Sequence, residues 1–139
     1  MVLSSYFCNK RKIIIIMIKA LFFDIDGTLV SFNTHTIPQS TLNAIAELRK
    51  KGIKLFISTG RPRVAINNLG NLEFDGYITM NGSYCFGEND EGIYKSPIPK
   101  SDVETMLDIL KKERNCPCVI VHEKEMFFCN PNAQTAAFI

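Results

Sequence analysis

Two aspartates separated by one residue, Asp24 and Asp26, follow a short apolar run and precede a Gly-Thr pair. On an extended chain, residues two apart point to the same side, so both carboxylates can face one site. Neighbouring carboxylates repel each other, which raises the pKa of one of them unless a cation is bound. Mg²⁺ suits such a pair because it takes one or two protein carboxylates together with phosphate oxygens and water. The pair therefore indicates phosphate chemistry in which one carboxylate attacks phosphorus and the other transfers protons.

Polar residues also follow two later apolar runs. Thr59, Gly60 and Arg61 end one of them, and Asn81 follows the other. The Thr59 hydroxyl and nearby backbone amides can bind phosphoryl oxygens, and the Arg61 guanidinium can bind them through two parallel hydrogen bonds. Structural roles are open as well. Thr59 can cap the helix that follows, Arg61 can be a surface residue, and Asn81 can simply form a turn.

The predicted elements alternate in type along the first part of the chain. Apolar runs predict strands at residues 18–23, 53–57 and 77–79, and proline-initiated segments predict helices at 38–52 and 62–69. This β-α-β-α-β order predicts a parallel sheet with helices on its faces. Ligands bind beyond the carboxyl ends of strands in such sheets. We therefore expect the three polar clusters, which are far apart in sequence, to lie at one edge of the sheet.

The pattern changes after Ser83. A strand is predicted at 93–95, and a helix is predicted to start at Ser101, which would act as the N-cap of a capping box with Glu104. Two apolar runs at 118–129, separated by a charged turn, predict a hairpin. Residues after Ser83 therefore form a second, α+β module in this interpretation.

The segment Asp24-Ile25-Asp26-Gly27-Thr28-Leu29 resembles the first motif of the haloacid dehalogenase superfamily. Thr59-Gly60-Arg61 and Asn81-Gly82, each after an apolar strand, are similar to its Cof-type (IIB) branch. Members of that branch are mostly phosphatases of sugar phosphates and other small phosphorylated metabolites. The resemblance covers roughly residues 18–139.

The resemblance implies a role for each matching position. Asp24 would be the nucleophile, Asp26 the general acid and base, and Thr59 the phosphate-binding hydroxyl. Mg²⁺ would be bound by the Asp24 carboxylate and the Asp26 backbone carbonyl. Gly60, Arg61 and Asn81 would contribute to substrate binding.

The resemblance also implies a domain organisation. We expect an α/β fold with a partial Rossmann-like parallel sheet core at 17–83 and an incomplete α+β cap domain at 84–139. Residues 1–16 are expected to form a disordered N-terminal extension.

Two features of the family have no match in these 139 residues. The family has a lysine that braces the nucleophile and a Gly-Asp-x-x-x-Asp motif that completes the magnesium site, both after the cap. We therefore expect this sequence to be the N-terminal part of such an enzyme, a truncated copy with weak Mg²⁺ affinity and little turnover. The alternative is a non-catalytic binding or regulatory fragment that keeps the fold. A signalling receiver fits less well, because its phosphoacceptor would follow a later strand.

The charge and the apolar runs of the sequence limit the classes of partner that it is expected to bind. Of the 16 basic residues three form the triplet at 10–12, so the remaining 13 nearly balance the 14 acidic residues. No basic stripe indicates nucleic-acid binding. The apolar run at 13–18 is too short for a membrane helix, which needs ~20 residues. The sequence indicates no oligomeric state.

The five cysteines are an odd number without a disulfide framework, which is typical of reduced thiols in the cytoplasm. The spacing of Cys116 and Cys118 does not match a zinc motif, so we expect packed thiols there.

Overall fold

A computed structural model describes residues 17–113, 116–133 and 135. The N-terminal extension expected at 1–16 lies outside the described residues. The described elements are, in order, β1 (Ala20–Phe23), α1 (Gln39–Lys50), β2 (Lys54–Ser58), β3 (Gly76–Thr79), β4 (Tyr84–Gly87), β5 (Gly92–Lys95), α2 (Lys100–Lys112), β6 (Cys118–Val121) and β7 (Met126–Cys129). Neither described helix is long and apolar enough to cross a membrane.

The first five strands form one sheet in the order β1-β2-β3-β4-β5. β1, β2 and β3 run parallel, whereas β4 and β5 are antiparallel additions next to β3. β6 and β7 form a separate antiparallel hairpin. The predicted α/β fold with a parallel Rossmann-like sheet is thereby confirmed.

One face of this sheet carries the core. Leu55 and Ile57 of β2 are fully buried there and pack with Ile45, the buried residue of α1. The opposite face is less covered, because Phe22 is 57% exposed while its ring stacks on that of Phe56 at 4.9 Å. Apolar runs in parallel strands usually reflect burial on both faces. In the described part of the chain, β1 therefore has an uncovered face as well as an unpaired edge.

One local prediction was wrong, and one strand was missed. The helix expected at 62–69 is a single 3-10 turn at Arg63–Ala65, after which Ile66 returns to extended backbone. Asn67, Asn68 and Gly70 follow, and these residue types are poor helix formers. The strand β4 was not predicted, because four residues without regular alternation give no clear period.

The prediction of a capping box at the start of α2 was also wrong. The helix begins at Lys100 after Pro99, whose fixed φ of −53° suits the N-cap position. Ser101 therefore lies inside the first turn, and its hydroxyl donates to the Asp102 carboxylate at 3.2 Å. Glu104 instead pairs with Lys100 at 3.6 Å.

The sheet continues beyond the domain boundary expected at 83/84. β4 and β5 extend it as far as Lys95, and the Ser96 amide donates to the Ser83 carbonyl at 2.8 Å. Lys95 also forms an ion pair with Glu123 in the turn between β6 and β7. The division into core and cap stays a prediction, with residues 84–95 belonging to the sheet of the core.

Asp75, the residue just before β3, accepts a backbone hydrogen bond from β2 through its side chain. Its removal should therefore destabilise the fold. Its Oδ2 accepts a hydrogen bond from the amide of buried Leu55 at 2.8 Å, and its Oδ1 accepts one from Lys54 at 2.5 Å. Asp75→Ala leaves the Leu55 amide without its side-chain acceptor, so we expect the free energy of unfolding to fall by about 1–3 kcal/mol. Urea unfolding at pH 7 measures this change. Asp108→Ala, which breaks an exposed pair with Lys111, should cost less than about 1 kcal/mol.

The effect of Asp75 should also depend on pH. The hydrogen bond from Leu55, and then that from Lys54, hold the pKa of Asp75 below its ordinary value. A carboxylate with a lowered pKa stabilises the fold above its unfolded pKa of about 3.9 and loses this contribution as pH falls through the folded value. The difference in stability between wild type and Asp75→Ala should therefore shrink in acid. A difference that grew in acid would contradict this assignment.

Candidate functional site

The chain turns sharply after β1 and presents two carboxylates. Gly27 adopts a φ of +77°, which residues with side chains rarely accept. Its amide donates to the Val30 carbonyl, and the Val30 amide donates to the Ile25 carbonyl, both at 2.9 Å. Ile25 and Val30 are buried, so they anchor the turn in the core. Asp24 and Asp26, on either side of Ile25, are left at the surface.

The Asp24 carboxylate is available to a ligand. It lies one residue beyond the carboxyl end of β1 and is exposed. Within residues 17–113, 116–133 and 135, no side chain forms a hydrogen bond or ion pair with it. An accessible carboxylate at the carboxyl end of a parallel strand is suited to bind a cation or to attack an electrophile.

Thr59 follows β2 and is almost completely buried, with 5% of its surface exposed. Its amide donates to the Ile78 carbonyl at 2.9 Å, and its hydroxyl oxygen accepts from the Arg61 amide at 3.2 Å. The short 3-10 turn that follows has Pro62 at its N-cap position and no side-chain cap. The structure therefore gives Thr59 a role in shaping the loop, and the alternative of a helix cap is wrong.

Arg61 holds the carboxylate of Asp26. Its Nε donates to Oδ2 at 2.7 Å and its Nη2 donates to Oδ1 at 2.6 Å, a bidentate arrangement. Its Nη1 donates to the Ala65 carbonyl at 2.9 Å, which fixes the guanidinium from the other side. The direction of the Asp26 side chain is thus set by a residue 35 positions away.

This pair shifts both pKa values. The hydrogen bond from Arg61, supported by its charge, holds the pKa of Asp26 below its ordinary value although partial burial opposes the shift. The same bond to Asp26 raises the pKa of Arg61, and the charge of Asp24 adds to this effect. Asp26 is therefore ionised at neutral pH in this arrangement.

Asn81 follows β3 in an unusual backbone conformation. Both Met80 and Asn81 have left-handed φ values, 51° and 54°. The amide of Asn81 donates to the Thr59 carbonyl and that of Met80 to the Arg61 carbonyl, each at 3.2 Å. A Cβ atom on Gly60 would lie 3.2 Å from Asn81 Oδ1. Strained residues of this kind occur at functional sites, and here they join the loops after β2 and β3.

The three polar clusters predicted from the sequence therefore meet at one sheet edge. The register pairs the last residue of β1, Phe23, with Ile57, so the aspartates begin level with the end of β2. Hydrogen bonds join neighbouring loops. Arg61, after β2, donates to Asp26, after β1, and the Asn81 amide, after β3, donates to the Thr59 carbonyl. The sequence did not reveal the pairing of Arg61 with Asp26. The order of the strands was the only available signal for it.

A comparison with protein families shows which family the chain belongs to. The family model for haloacid dehalogenase-like hydrolases matches residues 21–138. The chain belongs to the haloacid dehalogenase-like hydrolase family. The resemblance noted in the sequence is thereby confirmed.

Similar proteins in this family are phosphatases by name. The putative phosphatase YkrA of Bacillus subtilis is 35% identical over 109 residues, which cover 78% of this chain and 41% of that protein. An HMP-PP phosphatase of Shigella flexneri is 33% identical over 93 residues, 66% of this chain and 34% of its own length. The structure of a subclass IIB sugar phosphatase shares 51% identity and a TM-score of 0.77, covering 86% of this chain and 46% of that one. The chain thus spans less than half the length of these relatives.

The residues of this haloacid dehalogenase-like chain fit a magnesium ion in part. The carboxylate of Asp24 is exposed, whereas that of Asp26 is engaged by Arg61, which leaves only the backbone carbonyl of Asp26 as a donor. Mg²⁺ accepts such oxygen donors and fills its other positions with water and phosphate. Among the described residues no group of three or more acidic, histidine or cysteine side chains could hold a metal. These donors therefore suit a weak site that phosphate would complete.

Proposed function

We propose that this chain carries the phosphoryl-transfer residues of a Mg²⁺-dependent phosphomonoester hydrolase that works through an aspartyl-phosphate at Asp24. The observation that carries this proposal is the exposed Asp24 carboxylate, which pairs with no described side chain, next to an Asp26 side chain that Arg61 orients. The phosphatase names of the relatives support it. The substrate class would be a small phosphorylated metabolite such as a sugar phosphate, as the name of the subclass IIB relative suggests.

In this mechanism an Asp24 oxygen attacks phosphorus and the bond from phosphorus to the leaving oxygen breaks. Asp26 donates a proton to the leaving oxygen and later takes one from the water that hydrolyses the aspartyl-phosphate. The Thr59 hydroxyl and the amides of the Gly60 loop would bind the phosphoryl oxygens. Mg²⁺, held by the Asp24 carboxylate and the Asp26 carbonyl, would offset the negative charge shared by Asp24 and the phosphate.

The pair of Asp26 with Arg61 favours one of these two proton transfers. An ionised Asp26 is ready to accept a proton from water, which is the second step. The first step needs a protonated Asp26, which the Arg61 guanidinium disfavours. The acid step therefore requires the hydrogen bonds from Arg61 to the Asp26 carboxylate to weaken, for instance when an Arg61 N–H group turns to the incoming phosphate. This would reconcile the contact seen here with the predicted substrate role of Arg61.

A non-catalytic binding or regulatory fragment is the second candidate. One observation favours it: the described residues contain no group of three or more acidic, histidine or cysteine side chains that could hold a metal. Both candidates predict slow turnover by these 139 residues alone, but only the first predicts that the remaining turnover depends on Asp24. A cytoplasmic location and the absence of a nucleic-acid partner stay predictions.

Hydrolysis of p-nitrophenyl phosphate separates the two candidates. We expect a slow, Mg²⁺-dependent rate for the wild-type chain that falls to background with Asp24→Asn or after the metal is removed with a chelator. Asp108→Asn is the matched control, because Asp108 is an exposed acid in α2 that pairs with neighbouring Lys111. Its rate should equal that of wild type. Equal rates near background in all three chains would favour the non-catalytic fragment.

A further inference from the structure

Two cysteines face each other across the hairpin of β6 and β7. All four residue pairs of this hairpin are in register, and the last pair joins Cys118 directly to Cys129. Residues directly opposite in an antiparallel pair project from the same face, with Cβ atoms about 4.5–5.5 Å apart. Both thiols are free and half-buried. The register thus places two thiols side by side, although eleven positions separate them in sequence.

The spacing of this pair suits a disulfide. The His122 amide donates to the Glu125 carbonyl at 2.8 Å, which makes that pair hydrogen-bonded. Hydrogen-bonded and non-hydrogen-bonded pairs alternate along a hairpin. Cys118 and Cys129 lie four pairs away from His122 and Glu125, so they also form a hydrogen-bonded pair, with Cα atoms about 5.5 Å apart. Disulfides span Cα separations of roughly 4.4–6.8 Å. The Cβ atoms of a hydrogen-bonded pair lie near the wide end of their range, so they must approach each other by about 1–2 Å to reach disulfide geometry.

The position at the open end of the hairpin allows that approach. The paired register of β6 and β7 ends at Cys118 and Cys129, and Pro117 lies just before it on the β6 side. The next residue after Cys129, Asn130, donates from Nδ2 to the Cys116 carbonyl at 3.2 Å and to the Leu110 carbonyl at 3.1 Å. These bonds hold the two chain segments together beside the end of α2. The thiols therefore stay near each other while the last strand residues can adjust.

We infer that Cys118 and Cys129 form a reversible redox site, a cross-strand disulfide that closes the open end of the hairpin under disulfide stress. The oxidant would be a small disulfide such as oxidised glutathione. One cysteine, as thiolate, attacks the oxidant and releases one reduced thiol. The second cysteine then attacks the mixed disulfide and releases the other, so two protein thiols are oxidised and one disulfide is reduced to two thiols. This site is independent of the aspartates and of the proposed phosphatase activity.

Peptide mapping of the full chain tests this site. The reduced chain is incubated with oxidised glutathione at neutral pH, quenched with an alkylating reagent and digested with trypsin without reduction. Cleavage after Arg114 and Lys124 puts Cys118 and Cys129 on different peptides, so a bridge links them until dithiothreitol is added. Fragmentation of the linked peptides assigns the bridge in the wild-type chain. We expect Cys118 as the bridged residue rather than Cys116 on the same peptide.

Serine variants provide the matched controls. The linked peptides should be lost in Cys118→Ser and in Cys129→Ser, and should persist in Cys116→Ser and in Cys85→Ser, which changes a half-buried thiol of β4. Circular dichroism checks that each variant is folded. The inference is overturned if the wild-type chain yields only mixed disulfides with glutathione. It is equally overturned if fragmentation assigns the bridge to Cys116, or if the bridge forms only in urea.

Discussion

Replacing Ile25 with alanine is expected to lower the free energy of unfolding by about 2–5 kcal/mol. Ile25 is completely buried although it lies between two surface aspartates, and its carbonyl accepts the amides of Leu29 and Val30 at 3.1 and 2.9 Å. Alanine would leave a cavity beneath the turn that holds the carboxylates. Because folded domains are stable by only about 5–15 kcal/mol, this is a large share of the total. Urea unfolding followed by circular dichroism measures it.

Ile93→Ala is the matched control for this change. Ile93 lies in β5 and is 68% exposed, so the same truncation should alter stability by less than about 0.5 kcal/mol. Mg²⁺ affinity, measured on chains that remain folded, should fall with Ile25→Ala and stay constant with Ile93→Ala. Equal losses of stability in the two variants would show that Ile25 does not anchor the turn.

Asp26→Asn is expected to slow turnover by about 10²–10⁴-fold while covalent phosphate accumulates on the chain. The amide keeps the size of the side chain and can still accept a hydrogen bond from Arg61, but it cannot transfer protons. p-Nitrophenolate is a good leaving group that needs no protonation, so formation of the aspartyl-phosphate is largely spared. Its hydrolysis needs a base and is therefore slowed. Acid quenching at successive times measures bound phosphate and released p-nitrophenol separately.

The control for Asp26→Asn is Asp108→Asn, which should change neither quantity. Loss of labelling together with turnover in Asp26→Asn would mean that Asp26 acts before the covalent intermediate forms. In that case the assignment of its ionised, Arg61-bound form to the second step would be wrong.

The parallel part of the fold could be predicted from the sequence because its signals are local. Continuous apolar runs, Pro38 before α1 and Gly52 after it specify β1, α1 and β2 to within two residues. β4 is different, since its identity as a strand depends on its pairing with β3 rather than on its own four residues. The helix expected after Pro62 failed for a related reason. A proline permits a helix to start but does not supply the residues that extend it.

The location of the site could be predicted as well, whereas its internal contacts could not. Strand order alone brings Asp24, Thr59 and Asn81 to one edge, because the carboxyl ends of parallel strands share that edge. The bidentate contact between Arg61 and Asp26 depends on loop conformations that no periodicity encodes. The left-handed backbone at Asn81 is also set by tertiary hydrogen bonds, here to the Thr59 carbonyl.

The most direct test of the proposed chemistry is the identity of the phosphorylated residue. The Asp26→Asn chain, in which the intermediate should accumulate, is incubated with Mg²⁺ and p-nitrophenyl phosphate, quenched in acid, and mapped by mass spectrometry. We expect one phosphoryl group on Asp24 and none in the Asp24→Asn, Asp26→Asn double variant. Phosphate on any other residue, or no covalent phosphate in the Asp26→Asn chain, would contradict the role of Asp24 as nucleophile.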